Sequence, residues 1–214
     1  MKISAIAVAS ALVLAAGSAG AVTYIVPGTS DPFLAGASAG NSVDFNGVID
    51  ANTDYAPTES PVSVSVTAGE TYSIFAITDP ALGRVGNCGG CNLSGPAGDS
   101  GYYINSTPFT TTGFTALVSG FPAALPINSL VGVFNGSIPS VVAIGSSGTF
   151  TAPAGATTLY LGTVDGYQWN NNVGGFLVNV GVVPEPASWA LMLVGFGAMG
   201  VALRSRRKIA AATV

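Results

Sequence analysis

The sequence predicts an all-β protein: a jelly-roll-like β-sandwich flanked by an N-terminal signal peptide and a C-terminal transmembrane helix. Three observations carry that reading. Between Val22 and Val183 the apolar residues never recur at a helical period, while short runs with two-residue alternation recur between turns. The first 21 residues carry a targeting pattern rather than a strand pattern. Near the chain end, an uncharged apolar stretch runs into a basic cluster.

The strands follow in order. Residues 61–67, PVSVSVT, alternate strictly, so one face is buried and the other wet. Ala68-Gly69-Glu70 turns the chain, and residues 71–77 continue with Tyr72, Ile74 and Ala76 in phase. Further runs lie at 114–118, 130–134, 141–144, 148–151, 157–164 and 175–182, divided by Phe121-Pro122, Asn135-Gly136, residues 152–155 and Asp165-Gly166. Many short strands with regular turns mean a sandwich or barrel. The sandwich domain is expected over 60–183, with an N-terminal extension over 22–59 and no internal repeat. Residues 83–101 are rich in Gly, Asn and Ser and read as a long loop.

Residues 1–21 begin with Lys2, pass through an apolar run from Ile3 to about Ala16, and end on Ala19-Gly20-Ala21. This is a secretory signal peptide removed after Ala21, which implies Sec export and a space that permits disulfides. At the other end, 187–203 is a 17-residue uncharged run, or about 25 Å of helix. Trp189 suits a membrane interface, and Arg204, Arg206, Arg207 and Lys208 suit a cytoplasmic stop-transfer cluster.

Charge excludes several functions. The chain has ten acids, six bases and no His, so His-dependent nucleophile pairs and His-ligated metals are absent. All the bases except Arg84 lie in the two terminal segments, which leaves an acidic body unsuited to nucleic acid. No spacing of acids, Ser motif or phosphate loop suggests catalysis, and the protein is not expected to be an enzyme. Cys88-Gly89-Gly90-Cys91 lacks the helix and βαβ context of a redox motif. In an exported protein it reads as a disulfide stapling its loop.

One constellation carries chemistry. Asp165, Asn170, Asn171 and Asn172 share the loop between two strong strands. Carboxylate, amide and carbonyl oxygens are the ligands Ca²⁺ takes, and no softer metal suits them. The same residues also favour a plain polar turn, and composition leaves both readings open.

Two resemblances add to this. Val183-Pro184-Glu185-Pro186, Trp189-Ala190 and the Arg204–Lys208 cluster resemble the PEP-CTERM sorting signal of Gram-negative bacteria, in its PEPxxWA variant. The resemblance covers about the last 30 residues, 184–214 with the preceding Val183. It implies processing by an exosortase and passage through the inner membrane to the cell surface or beyond. The body, through residues 152–155, Thr158–Leu161, Asp165, Asn171-Asn172, Gly174, Phe176 and Gly95–Asp99, resembles the calcium-dependent galactose-binding lectin of the PA-IL type. That resemblance implies a calcium site with Asp165, Asn171 and Asn172 as side-chain ligands and carbonyls from Gln168 and the loop near Leu82. It also implies carbohydrate contacts at Tyr102 and Asn105, with Tyr102 standing where the family has a His. Tyr103, Tyr167 and Trp169 could stack on a sugar face. The competing expectation is a structural matrix or adhesin protein with no small ligand.

Overall fold

The computed structural model describes residues 20–184 and 186–211. The signal peptide expected at 1–21 therefore lies, through residue 19, outside the described residues, as does Glu185. Residues 20–183 form one compact unit. Its strands are β1 (Val22–Pro27), β2 (Ser42–Asp44), β3 (Asp54–Tyr55), β4 (Val62–Ser65), β5 (Thr71–Thr78), β6 (Val85–Asn87), β7 (Cys91–Ser94), β8 (Asp99–Ile104), β9 (Thr110–Thr112), β10 (Leu125–Ile127), β11 (Leu130–Phe134), β12 (Ser140–Ala143), β13 (Ser147–Thr151), β14 (Thr158–Thr163) and β15 (Gly175–Val182).

Two four-stranded antiparallel sheets make an all-β sandwich. One runs β1-β15-β5-β13 and the other β12-β11-β14-β4. The alternation read in the sequence decides which residues meet between them. Tyr72, Ile74 and Ala76 of β5 point inward while Phe75 and Ile77 point out. Inward residues Val26, Ile74, Phe176 and Val178 of the first sheet meet Val64, Leu130, Phe134, Leu159 and Leu161 of the second.

β11 is buried along its whole length because the second sheet is covered on both faces. Leu130 and Phe134 enter the core between the sheets, and Val131 and Val133 enter a second core. That second core is built by Phe33, Leu34, Val43, Ala56, Val118, Phe121 and Trp169. Residues 22–59, read as an extension before the sandwich, thus supply its edge strand β1 and much of this cover.

Two local expectations change. Residues 114–118 form no strand; Phe114, Leu117 and Val118 pack into the cover instead of pairing. The expected loop 83–101 contains the β6–β7 hairpin and the start of β8. A Cys88–Cys91 disulfide closes the hairpin tip, and Gly86 bridges to Val173. These two constraints impose pairing where the residues have little strand propensity.

Beyond the sandwich unit, Pro186–Ala211 form α1, with Pro186 opening the helix. Trp189 and Arg204 are exposed. Among the described residues no helix is long and apolar enough to cross a membrane, so the transmembrane span expected at 187–203, and a membrane partner through it, are not shown. The uncharged run has 17 residues, at the short end of what a bilayer core accepts.

Candidate functional site

The loop between β14 and β15 is held from several sides. Val164 and Trp169 anchor it in the second core, both fully buried. The indole Nε1 of Trp169 donates to the Thr163 carbonyl at 2.8 Å. Its ring meets Phe33 edge-on at 5.7 Å and lies tilted against Phe45 at 5.3 Å. Residues Trp169–Asn171 make a 3-10 turn, entered through Gln168 in the left-handed region with φ 61°. Asp54, from the N-terminal segment, accepts from the backbone N–H groups of Asn170 at 2.9 Å and Trp169 at 3.2 Å. It serves the turn as an N-cap would. Asn170 Nδ2 donates to the Ala51 carbonyl at 3.1 Å.

The structure brings two of the four expected calcium residues together. Asp165 is buried, 4% exposed. Its Oδ1 accepts from the Gly166 N–H, and its Oδ2 has no partner. The Asn172 side chain stands beside this carboxylate and is also buried. Asn172 Nδ2 donates to the Gly28 carbonyl at 3.1 Å, and its Oδ1 has no partner. Burial pushes the Asp165 carboxyl up to about 6, against the pull of the Gly166 N–H, Asn172 and the Tyr167 N–H.

The other two turn elsewhere. Asn171 faces the disulfide hairpin: its Oδ1 accepts from Cys88 N–H at 2.8 Å and its carbonyl from Gly89 N–H at 2.7 Å. Gln168 offers its carbonyl to the Asn171 N–H at 3.1 Å, and its side chain donates to Asn52 Oδ1. Leu82 lies in the exposed turn after Asp79, against Gly175.

Tyr102 and Asn105 are exposed. The hydroxyl of Ser106, next to Asn105, donates to the carbonyls of Asp165 and Gly166, tying this rim to the loop. Among the described residues no group of three or more Asp, Glu, Cys or His is placed to hold a metal ion. A cation here would rest on one carboxylate with amide and carbonyl oxygens.

Two features were not legible beforehand. The first is a buried acidic neighbourhood. Asp31, Asp54 and Glu59 join Asp165 beneath the surface, in a body whose one base, Arg84, is exposed. Asp31 is fully buried; its Oδ1 accepts from Phe33 N–H at 2.8 Å and its Oδ2 has no partner. Burial, then the charge of Asp54, raises its pKa well above the ordinary value. Burial likewise pushes Asp54 up to about 7. The crowding of acids without bases over 31–59 was the only sequence signal.

The second is a cleft of about 210 Å³ lined by Phe45, Asn46, Asn52 and Tyr167. Its walls come from segments more than a hundred residues apart, so no local pattern announces it.

Residues 182–208 match the PEP-CTERM protein-sorting motif. The tail is a PEP-CTERM sorting signal. That motif implies an exported, exosortase-processed protein placed at the surface or outside the cell. No curated protein matches the chain by sequence. Among solved structures the chain is similar to one described as "EclA N-terminal domain; PllA-like lectin". The two share 17% identity at a TM-score of 0.40, over 77% of this chain and 98% of that one. The sandwich assignment rests on its own strand register.

Proposed function

We propose that this protein, exported through the Sec machinery and released to the surface or matrix through its PEP-CTERM tail, binds a calcium ion at Asp165 and Asn172 and carbohydrate at the adjoining rim. The observation that carries the calcium reading is the buried Asp165 carboxylate. Among the described residues its Oδ2 has no hydrogen-bond donor, nor has the buried Oδ1 of Asn172, whose side chain stands by the carboxylate, and no base of the body is buried with them. Unpaired buried acceptors are costly, and a hard cation supplies both charge and coordination. Asp165 and Asn172 would hold the ion, and the ion would present open positions to sugar hydroxyls. Tyr102 and Asn105 are the rim residues that would contact the sugar.

A second reading has its own support. Asn171 Oδ1 is committed to Cys88, which suits a loop built for rigidity in a structural matrix or adhesin protein. Thermal melting separates the two. Calcium at a hundredfold excess over Kd stabilises the folded state by about 2.7 kcal/mol, and chelator reverses this. Under the calcium reading the melting temperature rises with calcium in the wild type and stays put in Asp165→Ala. No rise in the wild type leaves the structural reading.

A further inference from the structure

We propose that the cleft between the 45–52 segment and Tyr167 binds a single neutral sugar ring. It shares a ligand class with the reading above, but not its residues and not its calcium. The lining is two aromatic rings, Phe45 and Tyr167, and two amides, Asn46 and Asn52. None of the four carries a charge at neutral pH.

Each wall is set for binding. Phe45 is fixed in place, its ring 5.3 Å from Trp169 and 5.4 Å from Phe33. Tyr167 is 59% exposed, and its hydroxyl makes no hydrogen bond among the described residues. The two amides are oriented by one carboxylate: Asn46 Nδ2 and Asn52 Nδ2 both point to Asp50 Oδ2, at 3.4 and 3.2 Å. An amide nitrogen has two hydrogens, so each Asn keeps one N–H for a ligand. Asn46 Oδ1 takes the Val48 N–H at 2.8 Å and retains a second lone pair.

The chemistry of the walls selects the ligand. Anions meet no base here, and Asp50 stands behind the amides to repel them. A metal ion meets no lining carboxylate, and both Asn side chains turn a hydrogen of the amide toward Asp50. A purely apolar ligand would strip water from the free amide N–H groups without replacing it, at a cost. A pyranose satisfies all four walls, with its C–H face on the aromatic rings and its hydroxyls on the amides. The volume of about 210 Å³ lies below the 300–1,000 Å³ of drug-sized pockets, which suits one ring or the end of a chain.

The test uses the whole protein in chelator, titrated with the methyl glycosides of glucose, galactose, mannose and N-acetylglucosamine. Binding is followed by saturation-transfer NMR and by tryptophan fluorescence, read in a Trp189→Phe background so that the signal is that of Trp169, which Phe45 links to the cleft. At least one glycoside saturates. Tyr167→Ser weakens it about tenfold by removing one stacking face, without moving the melting temperature, because Tyr167 is largely exposed. Asn46→Ala weakens it comparably, and added calcium leaves it unchanged. The proposal is overturned if none of the four saturates, if saturation appears only when calcium replaces the chelator, or if Tyr167→Ser binds as the wild type does. Calcium dependence would return the sugar to the Asp165 rim, and a failed calcium melt would leave this cleft untouched.

Discussion

Replacing Asp165 by Asn separates the cost of its burial from its use. In the folded chain the carboxyl titrates at about 6, against an ordinary 3.8. Those roughly two units at 1.36 kcal/mol each come to about 3 kcal/mol. The folded state holds this proton more tightly than the unfolded chain does. Stability is therefore greatest below about pH 4 and declines as pH rises through about 6. Asparagine keeps the shape and an oxygen for the Gly166 N–H but has no charge to bury. Urea denaturation in chelator is the assay. Wild type and Asp165→Asn are expected to be near-equal at about pH 4, with the variant more stable by up to about 3 kcal/mol at about pH 8. Asp31 and Asp54 feel the Asp165 charge, so removing it also lowers their pKa values and adds to the variant's advantage at high pH. Calcium at a thousandfold excess over Kd, worth about 4.1 kcal/mol, reverses the order at about pH 8, because it stabilises only the wild type. A variant less stable than wild type in chelator at high pH, or a difference independent of pH, would refute the burial argument.

Three further outcomes follow from the packing. Gly174→Ala should unfold the loop and cost well over 2 kcal/mol in chemical denaturation, since φ is +79° and a Cβ would sit 2.1 Å from the Arg84 carbonyl oxygen. Trp169→Ala should cost about 3–5 kcal/mol by the same assay, because it empties the centre of the second core and strips the Thr163 carbonyl of its donor. Reducing the Cys88–Cys91 disulfide closes no long loop, so thermal stability should fall by at most about 2 kcal/mol. Hydrogen exchange at Cys88 and Gly89 should nevertheless rise, since these amides are tied to Asn171.

The sandwich was legible because its strands announce themselves. The alternation of 61–67 and 71–77 reappears as β4 and β5, and 130–134 and 175–182 reappear as β11 and β15 with the bounds read from the sequence. Residues 114–118 have the same apolar look but pack as cover, because apolar pattern alone does not say whether a segment finds a strand partner. The tail was legible because its signal is a linear motif. The loop 165–172 was legible as a polar cluster but not as a geometry. Asp165 and Asn172 face each other, while Asn171 turns to a hairpin more than eighty residues earlier in the chain. The meeting of Asp31, Asp54 and Glu59 with Asp165, and the Phe45–Tyr167 cleft, were hidden for one reason: contacts across more than a hundred residues leave no local spacing to read.

The most direct test of the calcium site is a crystal structure grown in calcium, with anomalous scattering collected at a wavelength where calcium contributes. A peak within coordination distance, about 2.3–2.6 Å, of Asp165 Oδ2 and Asn172 Oδ1 is the predicted result. A water in that position, or a carboxyl with no neighbour at all, would contradict it.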